Sequence, residues 1–266
     1  MKTITTLDGK EWDVKELVEE MRNDDFYYGY MGINSLSSSA VKDLLKSPKM
    51  YSNKVMDIID KQSQPVNDSF SEGRLIHQLI LEPEKHFDWN IIDAKDKRSK
   101  EWKEALLSET QNTILKKDYD KCKSIADAFI ANSRMSLNLA FSDKEVPNVV
   151  EIEGIPFRVK ADMLSEGVHI YDLKTTANIY RFNKWTCMDY GYDCQVYIYC
   201  KAFNLTYKDF VFLVIDKANL EIGEFNVSEE LYLSGESKVL QAIEVYKEYF
   251  LNMEKDLSQH YHIGVV

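Results

Sequence analysis

Along residues 155–163, apolar and polar side chains alternate: Ile155, Phe157, Val159, Ala161 and Met163 against Pro156, Arg158, Lys160 and Asp162. A period of two with one apolar and one polar face predicts a strand. Glu153-Gly154 precedes it and Ser165-Glu166-Gly167 follows it, both turn chemistry, so strands over 145–152, 155–163 and 168–175 are expected to meander. Residues 184–203 read as one helix, weakened at Gly191. A hairpin over 209–216 and 221–227, turning at Ala218-Asn219, comes next. Ser228 then caps a closing helix to about residue 254, with Glu229 and Glu230 in its first turn.

In the N-terminal half, Ser37-Ser38-Ser39 precedes Val41, Leu44 and Leu45 at helical spacing, so a serine caps a helix there. Ser47-Pro48 ends that helix and opens the next. A third helix is expected over 70–81, ended by Glu82-Pro83. Residues 84–104 show little periodicity and read as a long surface loop carrying Lys95, Lys97, Arg98, Lys100 and Lys103, before a helical region over 101–140. Residues 1–30 read as an N-terminal extension with no assigned function, followed by one domain over 31–266. The succession of elements implies an α/β fold, of the α+β kind, with a mixed sheet flanked by helices.

Composition narrows the class. Of 266 residues, 44% are hydrophobic and 12% aromatic, enough for a sizeable core and too many for a disordered chain. Thirty-three Lys and Arg against 44 Asp and Glu give a net charge of −11, which argues against coating nucleic acid by bulk attraction. An enzyme that gathers its basic residues in one groove is still compatible with that balance. No apolar run approaches the ~18–20 residues of a membrane span, and the first residues lack a signal-peptide core. Cys122, Cys187, Cys194 and Cys200 do not make a disulfide scaffold, so the reducing cytoplasm is the expected compartment.

Candidate chemistry lies in Lys160-Ala161-Asp162 and Asp172-Leu173-Lys174. Asp172 and Lys174 are two apart on a strand and share a face. A hairpin between Asp162 and Asp172 would bring the carboxylates within reach of one cation, and hard oxygen ligands suit Mg²⁺. A lysine beside such a cation can orient a bound water or stabilise charge on a phosphate. The competing reading is two solvated strand charges with a bridging lysine. His77 is a candidate ligand, acceptable to Mn²⁺, or alternatively a core histidine sharing a face with Ile80 and Leu81. Gln195 and Tyr199, four apart, share one helix face: they could meet a phosphate or base, or simply join an aromatic core stripe.

In this order, the motifs resemble the PD-(D/E)xK nuclease superfamily and, more narrowly, the RecE-type exonucleases (exonuclease VIII) of phages and prophages. The likeness runs over about residues 35–250, from Leu36-Ser37-Ser38-Ser39 through Gly73–Pro83 and Asp172-Leu173-Lys174-Thr175-Thr176 to Gln195-x-x-x-Tyr199. It implies Asp162 and Asp172 as metal ligands, Lys174 as the catalytic lysine and His77 as an added metal-side residue. Glu145 would be the upstream acid, with Glu151 the alternative, and Gln195 and Tyr199 the motif on the following helix. Ala161 stands where the family carries proline. The resemblance further implies Mg²⁺-dependent digestion of linear double-stranded DNA from 5′ ends, leaving 3′ single strands for recombination. A ring-shaped homo-oligomer, a single-strand annealing partner and the host bacterial cytoplasm would go with it.

Lys42, Lys46, Arg181, Lys184 and the segment 95–103 are candidates to line a DNA channel. Two rival readings remain. One is an iron–sulfur nuclease of the CRISPR-adaptation or AddB kind, which needs the four cysteines to converge. An unbroken helix over 184–203 would put Cys187 and Cys194 on one face and Cys200 elsewhere. The other is a non-catalytic DNA-end-binding module on a nuclease scaffold.

Overall fold

The computed structural model describes residues 2–60, 68–107 and 112–261. The N-terminal segment begins with an antiparallel pair, β1 (Thr3–Thr5) and β2 (Glu11–Asp13), and helix α1 (Val14–Glu20), whose first turn is capped by the Asp13 carboxylate. A π-helical turn over Phe26–Tyr30 leads into the single turn α2 (Met31–Asn34). Ile4, Leu17, Met21, Tyr27 and Met31 are buried around Val149, so this segment packs onto the main sheet.

Ser37 caps α3 (Ser38–Lys46) by accepting from the Ala40 N–H, and Pro48 sits in the first turn of α4 (Pro48–Ile59). Helix α5 (Asp68–Leu81) ends just before Pro83, as expected. The following region departs from expectation. The stretch read as a loop contains β3 (Trp89–Ile92), and the stretch read as helical holds β4 (Asn112–Leu115), which pairs parallel with it. Helix α6 (Lys100–Ala105) lies between them, and α7 (Lys116–Ala131) and α8 (Ser133–Ala140) follow; residues 108–111 lie outside the described residues. Four-residue strands are too short for their periodicity to register against helix.

The main sheet runs β5 (Ser142–Ile152), β6 (Ile155–Ser165), β7 (His169–Thr176), β8 (Phe210–Asp216) and β9 (Ile222–Asn226), neighbours in chain order. All pairs are antiparallel except β7–β8, which is parallel and crosses over through two helices. These are α9 (Lys184–Tyr190) and α10 (Tyr192–Phe203), where one helix was expected. Gly191 separates them at φ 77°, a left-handed residue whose N–H closes α9, and glycine takes that conformation without a side-chain clash. The final helix, α11 (Glu229–Tyr246), is capped by Ser228 and gives way to a π-helical turn over Lys247–Leu251.

Two apolar layers sandwich this sheet. On one face α3, α10 and α11 cover Phe157, Val159, Ala161, Ile170, Phe210, Phe212 and Val214. On the other α5, α7 and α8 cover Leu173, Leu213 and Ile215. The alternation along β6 has one break that the sequence pattern hides. Ala161 belongs to the first layer, but Met163, two residues on, belongs to the second. Pairing with β5 is regular on both sides, Lys144 with Met163 and Val146 with Ala161, and it skips Glu145 and Asp162. Glu145 there adopts φ 51°, so the ribbon turns over at this pair of acidic residues.

Candidate active site

That turnover brings residues from both layers to one place. Asp162 Oδ2 accepts the Leu173 N–H of β7 at 2.7 Å, and His77 Nε2, from α5, lies 3.1 Å from the same oxygen and 3.0 Å from the Leu173 carbonyl oxygen. His77, Glu145 and Asp162 each offer a ligand atom within 4.8 Å of the others, and among the described residues this is the one such group of three. Two carboxylates and an imidazole suit Mg²⁺ or Mn²⁺.

Beside this group, β7 carries Asp172 and Lys174 on one face. Asp172 is fully buried, and its Oδ2 lies 2.5 Å from Lys174 Nζ. Gln195 of α10 closes the triangle: its amide donates to Asp172 Oδ1 at 2.6 Å, and its oxygen accepts from Lys174 at 3.2 Å. The two aspartates expected to share a cation are therefore differently employed. Asp162 joins His77 and Glu145, while Asp172 faces Lys174 and Gln195 and is outside the ligand-like group. Tyr199 lies one turn further along α10 and donates its hydroxyl to the Lys160 carbonyl at 3.0 Å, bracing β6 from the rim of a smaller cavity. Glu151, the alternative upstream acid, is exposed at the far end of β5 opposite Pro156.

Burial and crowding shape the charges. Burial, reinforced by the Asp162 charge, pushes the Glu145 carboxyl up to about 7. Burial likewise raises Asp172 to about 6, against the pull of Lys174. Asp162 is held below the usual carboxylate range because His77 and Lys174 outweigh its burial. His77 rises to about 9, since the Asp162 and Glu145 carboxylates overcome the cost of burying its charge. For Lys174 the adjoining aspartates outweigh burial and raise its pKa, keeping it an ammonium. Groups perturbed in this way and gathered beside an open cavity make this cleft the candidate functional site, a pattern that buried ion-pair networks can share.

A family model described as a PDDEXK-like domain of unknown function (DUF3799) matches residues 37–256. The chain belongs to this family. A solved structure from Eubacterium rectale, named "Putative exonuclease", has 15% sequence identity and a TM-score of 0.59, over 92% of this chain and 95% of that one. At that identity the likeness is one of fold, and it agrees with the mixed sheet and its flanking helices. A second solved structure, SSO0001, aligns over 47% of this chain and 62% of that one at 14% identity and a TM-score of 0.29. No curated protein matches the sequence. PDDEXK nucleases are in general divalent-metal enzymes, and this PDDEXK-like domain carries two carboxylates and a histidine placed so that they could hold such an ion.

The PDDEXK-like core does not build the cavity alone. A space of about 610 Å³ beside the carboxylates is lined by His77, Glu145 and Lys174, and also by Asp24, Tyr28 and Lys85. Asp24 and Tyr28 precede the matched span. Sequence reasoning missed them because nothing in Phe26-Tyr27-Tyr28 has a spacing tied to chemistry. Among the proposed channel residues, Lys42 and Lys46 line an adjoining groove with Tyr190 and Gln195. Lys184 is taken up by Glu230 at 2.7 Å. Arg181, Lys95, Lys97, Arg98, Lys100 and Lys103 are exposed.

The cysteines are scattered through the core. Although the helix does break at Gly191, Cys122 sits in the layer of α5 and α7 while Cys187, Cys194 and Cys200 sit in the other. Burial raises all four thiols. Among the described residues, no helix is long and apolar enough to cross a membrane.

Proposed function

We propose that this chain is a Mg²⁺-dependent exodeoxyribonuclease that degrades linear double-stranded DNA from its 5′ ends and leaves 3′ single strands for recombination. The observation that carries the nuclease reading is the meeting of His77, Glu145 and Asp162 with the Asp172–Lys174–Gln195 triangle beside one open cavity of a PDDEXK-like fold. Direction and substrate rest on the likeness of the motifs to RecE-type exonucleases. Asp162, Glu145 and His77 would hold the cation, with Mn²⁺ an adequate substitute. Bound there, Mg²⁺ would lower the pKa of a coordinated water and neutralise charge on the phosphodiester.

The remaining work falls to side chains already in place. The Leu173 N–H fixes the Asp162 carboxylate, and the Leu173 carbonyl orients His77. Lys174 presents a permanent positive charge where negative charge develops on a phosphate. Gln195 and Asp172 hold that ammonium in position. A net charge of −11 makes general attraction to DNA weak, so retention is better served by a closed homo-oligomeric ring than by affinity per phosphate. A single-strand annealing protein would receive the product strand. A non-catalytic end-binding role is the weaker reading, because the carboxylates and the lysine are all present.

End-labelled linear duplex and covalently closed circles, incubated with Mg²⁺, test this reading. Mononucleotides released from 5′ ends of linear DNA, with circles intact, are the expected result. Asp162→Ala should reduce the rate at least ~10³-fold, about 4 kcal/mol of transition-state stabilisation. Cutting of circles at a comparable rate would make the enzyme an endonuclease, release from 3′ ends would reverse the polarity, and an active Asp162→Ala would remove the cation site.

A further inference from the structure

Tyr28 is 58% exposed yet lines both cavities at the carboxylate cluster, each time in company with His77 and Glu145. Its position is fixed from behind. Buried Tyr27 meets it edge-on with ring centroids 4.9 Å apart, and Lys160 Nζ lies 5.0 Å from its centroid. Asp24 takes Lys160 at 2.5 Å with one oxygen and Lys85 at 2.7 Å with the other, tying this segment both to β6 and to the turn after α5. The backbone here is the π-helical turn Phe26–Tyr30, a geometry frequent at functional sites.

Exposed aromatic rings are common on protein surfaces, so what singles out Tyr28 is its place in the cleft beside His77 and Glu145. The ring is held in place and left open within that cleft. Crowded carboxylates nearby disfavour an anionic occupant against the ring, whereas the neutral face of a nucleobase stacks favourably on an aromatic. The exposed Arg74 guanidinium lines the same cavity and can meet the adjoining phosphate. Inside a duplex both faces of a base are covered by its neighbours, and a base released from its pair is the one free to turn its face onto a side chain within a cleft.

We infer that Tyr28 stacks on an unpaired nucleobase next to the scissile phosphate, so that the segment preceding the family-matched span completes the substrate site. This deepens the nuclease reading and rests on it. It specifies the substrate at the moment of cleavage: a strand end whose last nucleotide is frayed or single-stranded. Tyr28 is a positioning residue, acting on the nucleotide and not on the reacting atoms.

Two measurements on the full chain separate this inference from the reading beneath it. In the first, steady-state digestion compares wild type with Tyr28→Ala, Tyr28→Leu and Tyr28→Phe. Ala and Leu should raise KM about tenfold with little change in kcat or melting temperature, and Phe should behave as wild type. In the second, DNA ends carrying an unpaired 2-aminopurine at the 5′ or 3′ terminus are bound to the Asp162→Asn variant. Fluorescence should be quenched, and adding Tyr28→Leu should abolish the quenching. Unchanged KM together with unchanged quenching would overturn the inference, as would equal losses in Phe and Ala, which would assign the role to the hydroxyl. If wild type digests nothing, the nuclease reading fails by itself, and the quenching still decides whether Tyr28 stacks on a base.

Discussion

Asp172 and Asp193 are both fully buried and both paired with a lysine, yet they belong to different kinds of site. Asp193 lies between α10 and α11, where Lys238 at 2.8 Å, the Ser234 hydroxyl at 2.8 Å and the Cys194 N–H at 2.9 Å account for its oxygens. The helices close tightly around it: a Cβ on Gly235 would fall 2.0 Å from the Asp193 carbonyl oxygen. Asp172 instead stands beside Asp162, His77 and Lys174, and its carboxyl is pushed up to about 6. One buried charge is answered from within the fold. The other belongs to a crowd of ionisable groups bordering an open cavity, and that difference, not burial itself, makes Asp172 the candidate for chemistry and Asp193 a structural carboxylate.

Mutating the two regions should move opposite quantities. The largest effect on stability is expected at the closed site. Asp193→Ala leaves Lys238 and Ser234 without their partner and should cost about 3 kcal/mol, or roughly 6–12 °C in melting temperature, with turnover per folded molecule unchanged. Calorimetry beside a nuclease assay reads both; a lowered kcat at normal stability would erase the distinction. A smaller effect of the reverse sign is expected at the open site. Glu145 is destabilised by burial and by the Asp162 charge, so Glu145→Gln should raise the metal-free melting temperature by about 2 °C while abolishing activity. A drop in stability would show that the carboxylate is structural.

The smallest effect concerns the latch at Asp24. Burial acts to raise its pKa, but hydrogen bonds from Lys160 and Lys85 outweigh it and lower the carboxyl below 3.8. A depressed folded-state pKa stabilises above the unfolded pKa and ceases to do so as pH falls through the folded one. Wild type should therefore melt about 1–2 °C above Asp24→Asn at neutral pH, with the gap constant down to about pH 5 and closing below about 3.8. A gap that did not narrow at all on acidification, or that opened instead, would mean that the carboxylate charge is not what holds the segment.

How much of this was legible in the sequence depended on how local the signal was. Alternation along 155–161 and the turns at Gly154 and Gly167 reflect neighbours in the chain, and the sheet they foretold is present. The strand period put Asp172 and Lys174 on one face and the helix period put Gln195 with Tyr199, but the closure of Gln195 onto the aspartate and lysine is a tertiary contact that neither period shows. Four-residue β3 and β4 were illegible, since so few positions cannot separate strand from helix. The split at Gly191 was half visible: glycine announces weakness, and only the packing of two helices decides that it becomes a left-handed joint. The grouping of Asp162 with Glu145 instead of Asp172 depends on the ribbon turning over, which a strict period of two conceals. Asp24 and Tyr28 reach the site only through tertiary contacts.

The left-handed backbone at Glu145 has a consequence for any comparison among relatives. Holding a residue with a Cβ at φ 51° costs about 1–3 kcal/mol, which a glycine would largely recover. If Glu145 helps hold the proposed cation, a lineage that hydrolyses DNA has reason to bear that strain. A lineage reduced to gripping DNA ends has none, and drift would carry this position toward glycine or asparagine before the buried Asp172 could change. Under the proposed function, the residue at this one turn would mark whether a relative has kept the cation site, although Glu153 and Glu166 show that this chain accepts glutamate at such angles elsewhere.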